Sequence, residues 1–183
     1  MRWKGSRAAL RRSIRLIPAV LSGRHADSLG LKPVFWNRVG NEVLNCIWTD
    51  FQVKRLGGTG LDGISWPALA ESTLERRRRS GRTDEEILIE TTALLVSLAA
   101  GIADVPSGSP GQVFRLEPDG ITVGSAIPYA DFHQAGIPGR MPARHIVPSD
   151  GSIPAGWEPL VETAMEAAMQ KCVEIVISAG GIP

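Results

Sequence analysis

The stretch 119–148 most constrains how this chain can fold, because turn residues there separate short apolar runs. It begins with Asp119-Gly120, a reverse-turn pair typical of tight hairpins. Apolar residues, most of them β-branched or aromatic, lie on both sides of this pair: Val113, Phe114, Leu116, Ile121 and Val123. This pattern predicts a β-hairpin, so part of the chain is expected to form antiparallel sheet.

A compact corner is predicted directly after the hairpin. Tyr129, Phe132 and His133 have the spacing of neighbours on one helical turn. Gly136 follows, and a glycine at this place typically ends a helix. The prolines and glycine that come next require the backbone to turn sharply before an extended run at residues 146–147.

The polar residues of this corner could serve structure or chemistry. A hydrolase needs a nucleophile beside a base, and a metal enzyme needs clustered ligands. Asp131, His133 and His145 have no recognised ligand spacing, and no nucleophile elbow is present. We therefore expect His133 to cap or bridge backbone groups, and Arg144 to pair with a carboxylate or with carbonyl oxygens. Metal binding or catalysis is the alternative, and no cofactor is expected.

Composition restricts the classes of function. The chain has 183 residues, 43% of them apolar and 21% charged, which is ordinary for one soluble domain with an appendage. A formal net charge of +1 argues against a general nucleic-acid coat. Neither a bilayer-spanning apolar run nor a signal-peptide core is seen, so we expect a cytoplasmic protein. Cys46 and Cys172 fall on apolar sides of predicted helices, which favours buried reduced thiols.

The first 24 residues carry seven basic side chains and no acidic one. Apolar residues recur there at steps of three and four, which predicts a basic amphipathic helix. Trp3 lies in the same segment, and the basic row is Lys4, Arg7, Arg11 and Arg15. This arm could pack on its own domain, dock on another subunit or partner, or contact DNA or an anionic membrane. We take residues 1–32 as arm and linker, and residues 33–183 as the domain.

Helices are predicted around the hairpin. Apolar residues at four-residue steps predict a long helix over 33–55, followed by a flexible glycine-rich loop at 57–63. A second helix is expected from 65 to 79, and Thr83 with Glu86 forms a capping-box start for a third. The consecutive arginines 76–79 suit a solvated helix end, with contact to an acidic partner or DNA phosphate as the alternative.

A final helix is predicted from apolar residues at helical steps, namely Val161, Met165, Ala168, Cys172 and Val176. An acidic row lies on another face: Glu158, Glu162, Glu166 and Glu174. This row matches the basic row of the arm in pitch and opposes it in sign, so we predict that the arm packs on an adjacent subunit or on the next ring. The fold expected is α+β, a small mostly antiparallel sheet packed by the 33–55 helix and the C-terminal helix.

Three groups of residues resemble the signature of one known family. The first is the run YADFHQAG followed by MPARHIV, and its matching corner positions are Tyr129, His133, Gln134, Gly136 and Arg144. The second is Trp66, Leu69 and Thr73, and the third is Leu88, Thr91, Leu94 and Ser97. Their order and spacing resemble the phage virion morphogenesis family, the Mu-like and P2-like tail completion proteins, which are related more distantly to neck proteins. Thr92 and His145 replace a glycine and a proline common in that family.

The resemblance implies a structural virion protein without catalytic residues or a cofactor. Such a protein forms a ring, a hexamer in that family, that stops growth of the tail tube and enables head-tail joining. The implied partners are further copies, the tail tube protein and the connector or neck proteins, with DNA passing through the ring and no membrane. Terminator and neck positions both stay open.

The resemblance also implies a location and one further strand. The protein would be assembled in the host cytoplasm and lie at the head-tail junction of the virion. A helical turn would reach Leu94, and a strand would run from there to Val105. A nucleic-acid-binding module that uses the arm and the arginines 76–79 is the competing class.

Overall fold

The computed structural model describes residues 26–27, 29–81, 86–88, 92–101, 106–117, 120–148 and 152–180. The elements in chain order are α1 (Leu31–Arg55), α2 (Glu71–Arg79), α3 (Ala93–Ser97), β1 (Gln112–Glu117), β2 (Gly120–Ser125), α4 (Ala130–Ala135) and α5 (Glu158–Ser178). Helices combine with an antiparallel sheet, so the predicted α+β class is confirmed. Several predictions lie outside the described residues: the basic arm with Trp3, Lys4, Arg7, Arg11 and Arg15, the capping residue Thr83, and Thr91.

Helix α1 is the central element, because its apolar residues at four-residue steps are all buried: Phe35, Val39, Val43, Ile47 and Phe51. Helix α5 packs along it through the buried residues Val161, Met165, Ala168 and Cys172. The Trp157 indole donates to Asp50 near the end of α1 at 3.0 Å. The Cys172 thiol lies 3.6 Å from the carbonyl oxygen of Leu31, where α1 begins. The two predicted long helices are thus confirmed, and they run antiparallel.

The predicted hairpin is confirmed by the pairing of β1 with β2. Its register places Phe114 opposite Val123 and Leu116 opposite Ile121. The hairpin approaches α1 closely at Gly40, where a Cβ atom would lie 2.3 Å from Ile121 Cδ1 and 2.9 Å from Phe114 Cζ. Glycine at this helical position therefore lets the sheet pack directly on the central helix.

The described parts of two predicted extended segments, residues 94–101 and 146–147, are not strands, and residues 102–105 of the first lie outside the described residues. Residues 93–97 form the short helix α3, in which the Ser97 hydroxyl donates to the carbonyl of Leu94 at 2.7 Å, and residues 98–101 do not join a sheet. The backbone bends at Ile146 and Val147, because their N–H groups donate to the Gln134 side chain instead of a neighbouring strand. Within the described residues the sheet therefore has two strands.

The segment between α1 and α2 also differs from the prediction. Helix α2 begins at Glu71 rather than at residue 65. The carbonyls of Pro67 and Ala68 accept hydrogen bonds from Arg144, which holds this backbone outside a helix. The glycine-rich loop, predicted to be flexible, is closed by a bridge between Thr59 and Ser65.

Two side-chain environments complete the core. Cys46 and Cys172 are buried free thiols, as predicted. Asn41 falls on the predicted polar side of α1, yet it is buried, because its Oδ1 accepts the N–H of Gly101 at 3.2 Å. Among the described residues, the core already includes Ala26, upstream of the predicted domain boundary at residue 33. No described helix is both long and apolar enough to cross a bilayer.

Candidate functional site

Gln134 holds the corner together. Its Oε1 accepts the N–H groups of Ile146 at 2.8 Å and Val147 at 3.1 Å. Its Nε2 donates to the carbonyl of Val147 at 2.7 Å. A primary amide carries both a donor and an acceptor, so one side chain on α4 satisfies three backbone groups of the returning segment. The resemblance placed Gln134 in the corner, and these hydrogen bonds show that its side chain joins α4 to the returning segment.

Gly136 ends α4, as predicted. Its φ is +71°, in the region that favours glycine. A Cβ atom there would lie 2.6 Å from the backbone nitrogen of Ala143 and 2.9 Å from the carbonyl oxygen of Met141. The chain after α4 can therefore fold back against this residue only because the side chain is absent.

Arg144 and Trp66 join the corner to the segment before α2. The Arg144 guanidinium is buried and donates to the carbonyls of Pro67, at 3.2 Å, and Ala68, at 3.3 Å. In return, the Trp66 indole donates to the carbonyl of His145 at 2.9 Å. The prediction that Arg144 pairs with carbonyl oxygens is confirmed. Burial lowers the pKa of Arg144, but arginine still carries its charge at neutral pH.

His133 packs against Tyr129, with ring centroids 6.0 Å apart and the ring planes at 87°. Its backbone carbonyl accepts the Arg144 N–H at 2.7 Å. The imidazole Nδ1 is buried without a hydrogen-bond partner, so this atom makes none of the backbone contacts predicted for it. Burial and then the Arg144 charge lower the pKa of His133 below its usual 6.5, which keeps the ring neutral at pH 7.

Residues of the corner and of the other two family-like groups line one cavity of about 670 Å³, which we call the groove. The matching positions in its wall are Leu69, Thr73, Leu88, Tyr129, His133 and Arg144. Three more arginines, Arg76, Arg77 and Arg140, line it as well. No described carboxylate does, so the groove carries a concentrated positive charge.

Other predicted positions lie away from the groove. Leu94 and Ser97 are buried in α3, where the Ser97 hydroxyl lies 2.7 Å from that of Ser125 on β2. They support the hairpin and do not form part of the groove wall. Gln134 and Gly136 hold the corner and are not in the groove wall. The family-like residues thus form one group around the groove and another beneath the sheet.

The arginine cluster is exposed at three of its four positions. Arg78 pairs with Glu71 at 2.7 Å, and Arg79 pairs with Glu75 at 3.3 Å. Arg77 is buried and donates to the carbonyl of Glu86 at 2.8 Å. The solvated helix end that the sequence predicted therefore does not apply to Arg77, which instead anchors α2 to the segment before α3.

The predicted acidic row on α5 becomes more exposed towards the end of the helix. Glu158 and Glu162 are half-buried, whereas Glu166 and Glu174 are exposed. Only the later part of the row is therefore fully available to another molecule.

Sequence reasoning missed a buried ionic cluster at the end of α1. Asp50 Oδ1 accepts the N–H of Leu61 at 2.5 Å, and Oδ2 accepts the N–H of Asp62 and the Trp157 indole. Lys54 forms ion pairs with Asp62 and with Asp50, the latter at 3.8 Å, and is almost fully buried. Burial is the largest influence on Asp50 and raises its pKa. The only local signal is the four-residue spacing of Asp50 and Lys54 on a helix.

The arrangement positions backbone segments and presents a cationic surface. Its buried polar side chains mainly bond to carbonyl and amide groups from distant parts of the chain. Within the described ranges, no three His, Cys, Asp or Glu side chains are grouped as metal ligands would be. Comparisons with protein-family models, with curated proteins and with solved structures found no match to this chain.

Proposed function

We propose that this protein is a structural component of a phage virion, a tail completion or neck protein. It forms a ring at the head-proximal end of the tail, stops growth of the tail tube and enables joining to the head. The observation that carries the proposal is the convergence of separate family-like groups of residues on one groove.

The convergence matters because the residues lie far apart in sequence. Arg144 bonds to Pro67 across 77 positions, and Trp66 bonds to His145 across 79. A chance likeness of short runs would not require those runs to contact each other. The contacts use backbone groups as partners, which suits a residue set that maintains a shape.

The expected partners follow from this role. Copies of the chain form the ring, the tail tube protein meets one side of it, and the connector or neck proteins meet the other. DNA that leaves the head passes through the ring. The protein is assembled in the host cytoplasm and remains at the head-tail junction of the virion.

A phage with a nonsense mutation in this gene tests the proposal by electron microscopy. We expect full heads separate from tails, with the tails unjoined or overlong. Expression of the intact chain in the host should restore joined particles. Normal infectious particles made without the protein would contradict the proposal.

Nucleic-acid binding is the second candidate, favoured by the cationic groove and by the exposed arginines of α2. Binding through phosphates would weaken steeply as the salt concentration rises. A duplex titrated with the pure protein at several salt concentrations separates the two functions. Tight binding at physiological salt, lost on reversing the charge of Arg76 and Arg140, would favour the second candidate.

A further inference from the structure

Many oppositely charged side chains in the described residues pair with each other. The ion pairs include Lys32 with Asp27, Lys54 with Asp62, Arg55 with Glu86, Arg78 with Glu71, and Arg79 with Glu75. Two surfaces of opposite sign also carry charges outside this pairing. One is the groove, and the other is the outer face of α5, which we define as Glu166, Gln170, Val173, Glu174 and Ile177.

The groove combines cations with an apolar lining. Arg76 and Arg140 are exposed at its wall, and neither forms an ion pair with another described residue. Arg144 lies deeper, and the neutral carbonyls that it contacts do not cancel its charge. Leu69, Leu88 and Met141 supply the apolar contacts. A fitting partner must therefore carry carboxylates beside apolar side chains.

The outer face of α5 has this composition. Glu166 and Glu174 are exposed, and their separation of eight residues is about 12 Å along the helix. Val173 is 37% exposed and Ile177 is 63% exposed on the same side. Lys171 is the only basic residue of the helix, and it offsets part of the charge of Glu174 at 3.6 Å.

We infer that the outer face of α5 of one copy docks in the groove of the next copy. The two surfaces match in charge and in apolar character, and their charged residues Arg76, Arg140, Glu166 and Glu174 are exposed. They are different surfaces, so the contact is head-to-tail, and such a contact builds a ring when the rotation between successive copies closes. The inference rests on the proposed function and names the interface that builds its ring.

The chemistry favours this occupant over two others. The N-terminal arm has the same sign of charge as the groove, so repulsion opposes its binding there. Duplex DNA offers phosphates without apolar groups to cover the groove lining. In the proposed contact, the apolar side chains provide most of the affinity, because exposed ion pairs contribute little, and the charges set register and encounter rate.

A charge exchange between two variants of the full chain tests the inference. The groove variant is R76E/R140E, and the helix variant is E166R/E174R. All four positions are exposed, so both variants should keep the far-ultraviolet circular dichroism of the parent chain. Each variant alone places like charges across the contact, which should weaken self-association by more than about tenfold. An equimolar mixture restores opposite charges at every contact and should assemble, as measured by sedimentation velocity.

The matched control is R79E/R115E, which makes the same change in net charge at exposed arginines outside the groove. It should assemble like the parent chain. Assembly of either test variant alone, or a mixture that stays dissociated, would overturn the inference. So would a parent chain that stays monomeric at high concentration.

Two further outcomes would assign one of these surfaces to a different partner. If only the helix variant fails to assemble, the acidic row of α5 binds the basic arm and not the groove. Loss of DNA binding in the groove variant, with assembly intact, would assign the groove to nucleic acid. Either result overturns the interface, whereas the proposed function fails only if phage lacking the gene still join heads to tails.

Discussion

At the scale of single residues, the Gln134 side-chain amide bonds to backbone groups that a neighbouring strand would otherwise pair with. Gln134→Ala would leave the N–H groups of Ile146 and Val147 without their acceptor, and Ile146 is buried. A buried polar group left unsatisfied costs about 1 to 3 kcal/mol, so we expect a loss of at least that size in the free energy of unfolding. Denaturant titration measures it. Gln170→Ala, at an exposed position of α5, is the control and should change the free energy of unfolding little. Equal stability of the two variants would show that the Gln134 hydrogen bonds do not stabilise the corner.

His133 provides a pH-dependent test at the same scale. Its pKa in the folded protein is lowered from 6.5, so the unfolded chain takes up the proton first as the pH falls. The stability of the parent chain should therefore be complete above about pH 6.5 and decline below it. His133→Phe keeps an aromatic ring beside Tyr129 and removes the titration. Stability curves from about pH 5 to 7.5 should diverge between the two proteins, and parallel curves would contradict the assignment.

At the scale of elements, Asp50 fixes the loop between α1 and α2 and the start of α5. Asp50→Ala would remove the acceptor of two loop amides and of the Trp157 indole, and one partner of Lys54. Breaking a buried ion pair in this way costs about 3 to 5 kcal/mol. Glu75→Ala breaks the exposed pair with Arg79 and should cost less than about 1 kcal/mol. Similar unfolding midpoints for the two variants would show that the cluster does not hold the loop.

Local patterns predicted the elements whose backbone bonds stay local. Helices α1 and α5, the hairpin and the glycine end of α4 belong to this group. The errors arose where a distant side chain takes a backbone group: Arg144 holds Pro67 outside a helix, and Gln134 takes the amides of a predicted strand. The resemblance singled out six of the residues that line the groove, but Arg140 and the Asp50 cluster carried no distinctive local pattern. A contact between residues 77 positions apart produces no periodic pattern in a single sequence, so local patterns could not predict it.

At the scale of the whole molecule, α1 separates two ends with different roles. The start of α1 lies beside the later part of α5, since the Cys172 thiol contacts the carbonyl of Leu31. At the other end, Arg55 pairs with Glu86, whose carbonyl accepts from Arg77 of the groove. The groove therefore lies at the end of α1 opposite to the one that the arm precedes.

Deleting residues 1–24 tests what the arm contributes. The described residues from Ala26 onward already form a continuous buried core, so the truncated chain should unfold at nearly the same denaturant concentration as the full chain. The proposed contact between the groove and α5 uses residues 69–177, so self-association in sedimentation velocity should persist. The arm would then serve a partner outside the ring, and we expect the truncated chain to fail in restoring joined particles to the mutant phage. A folded truncated chain that no longer self-associates would show instead that the basic row of the arm meets the acidic row of a neighbouring copy, as their equal pitch suggests.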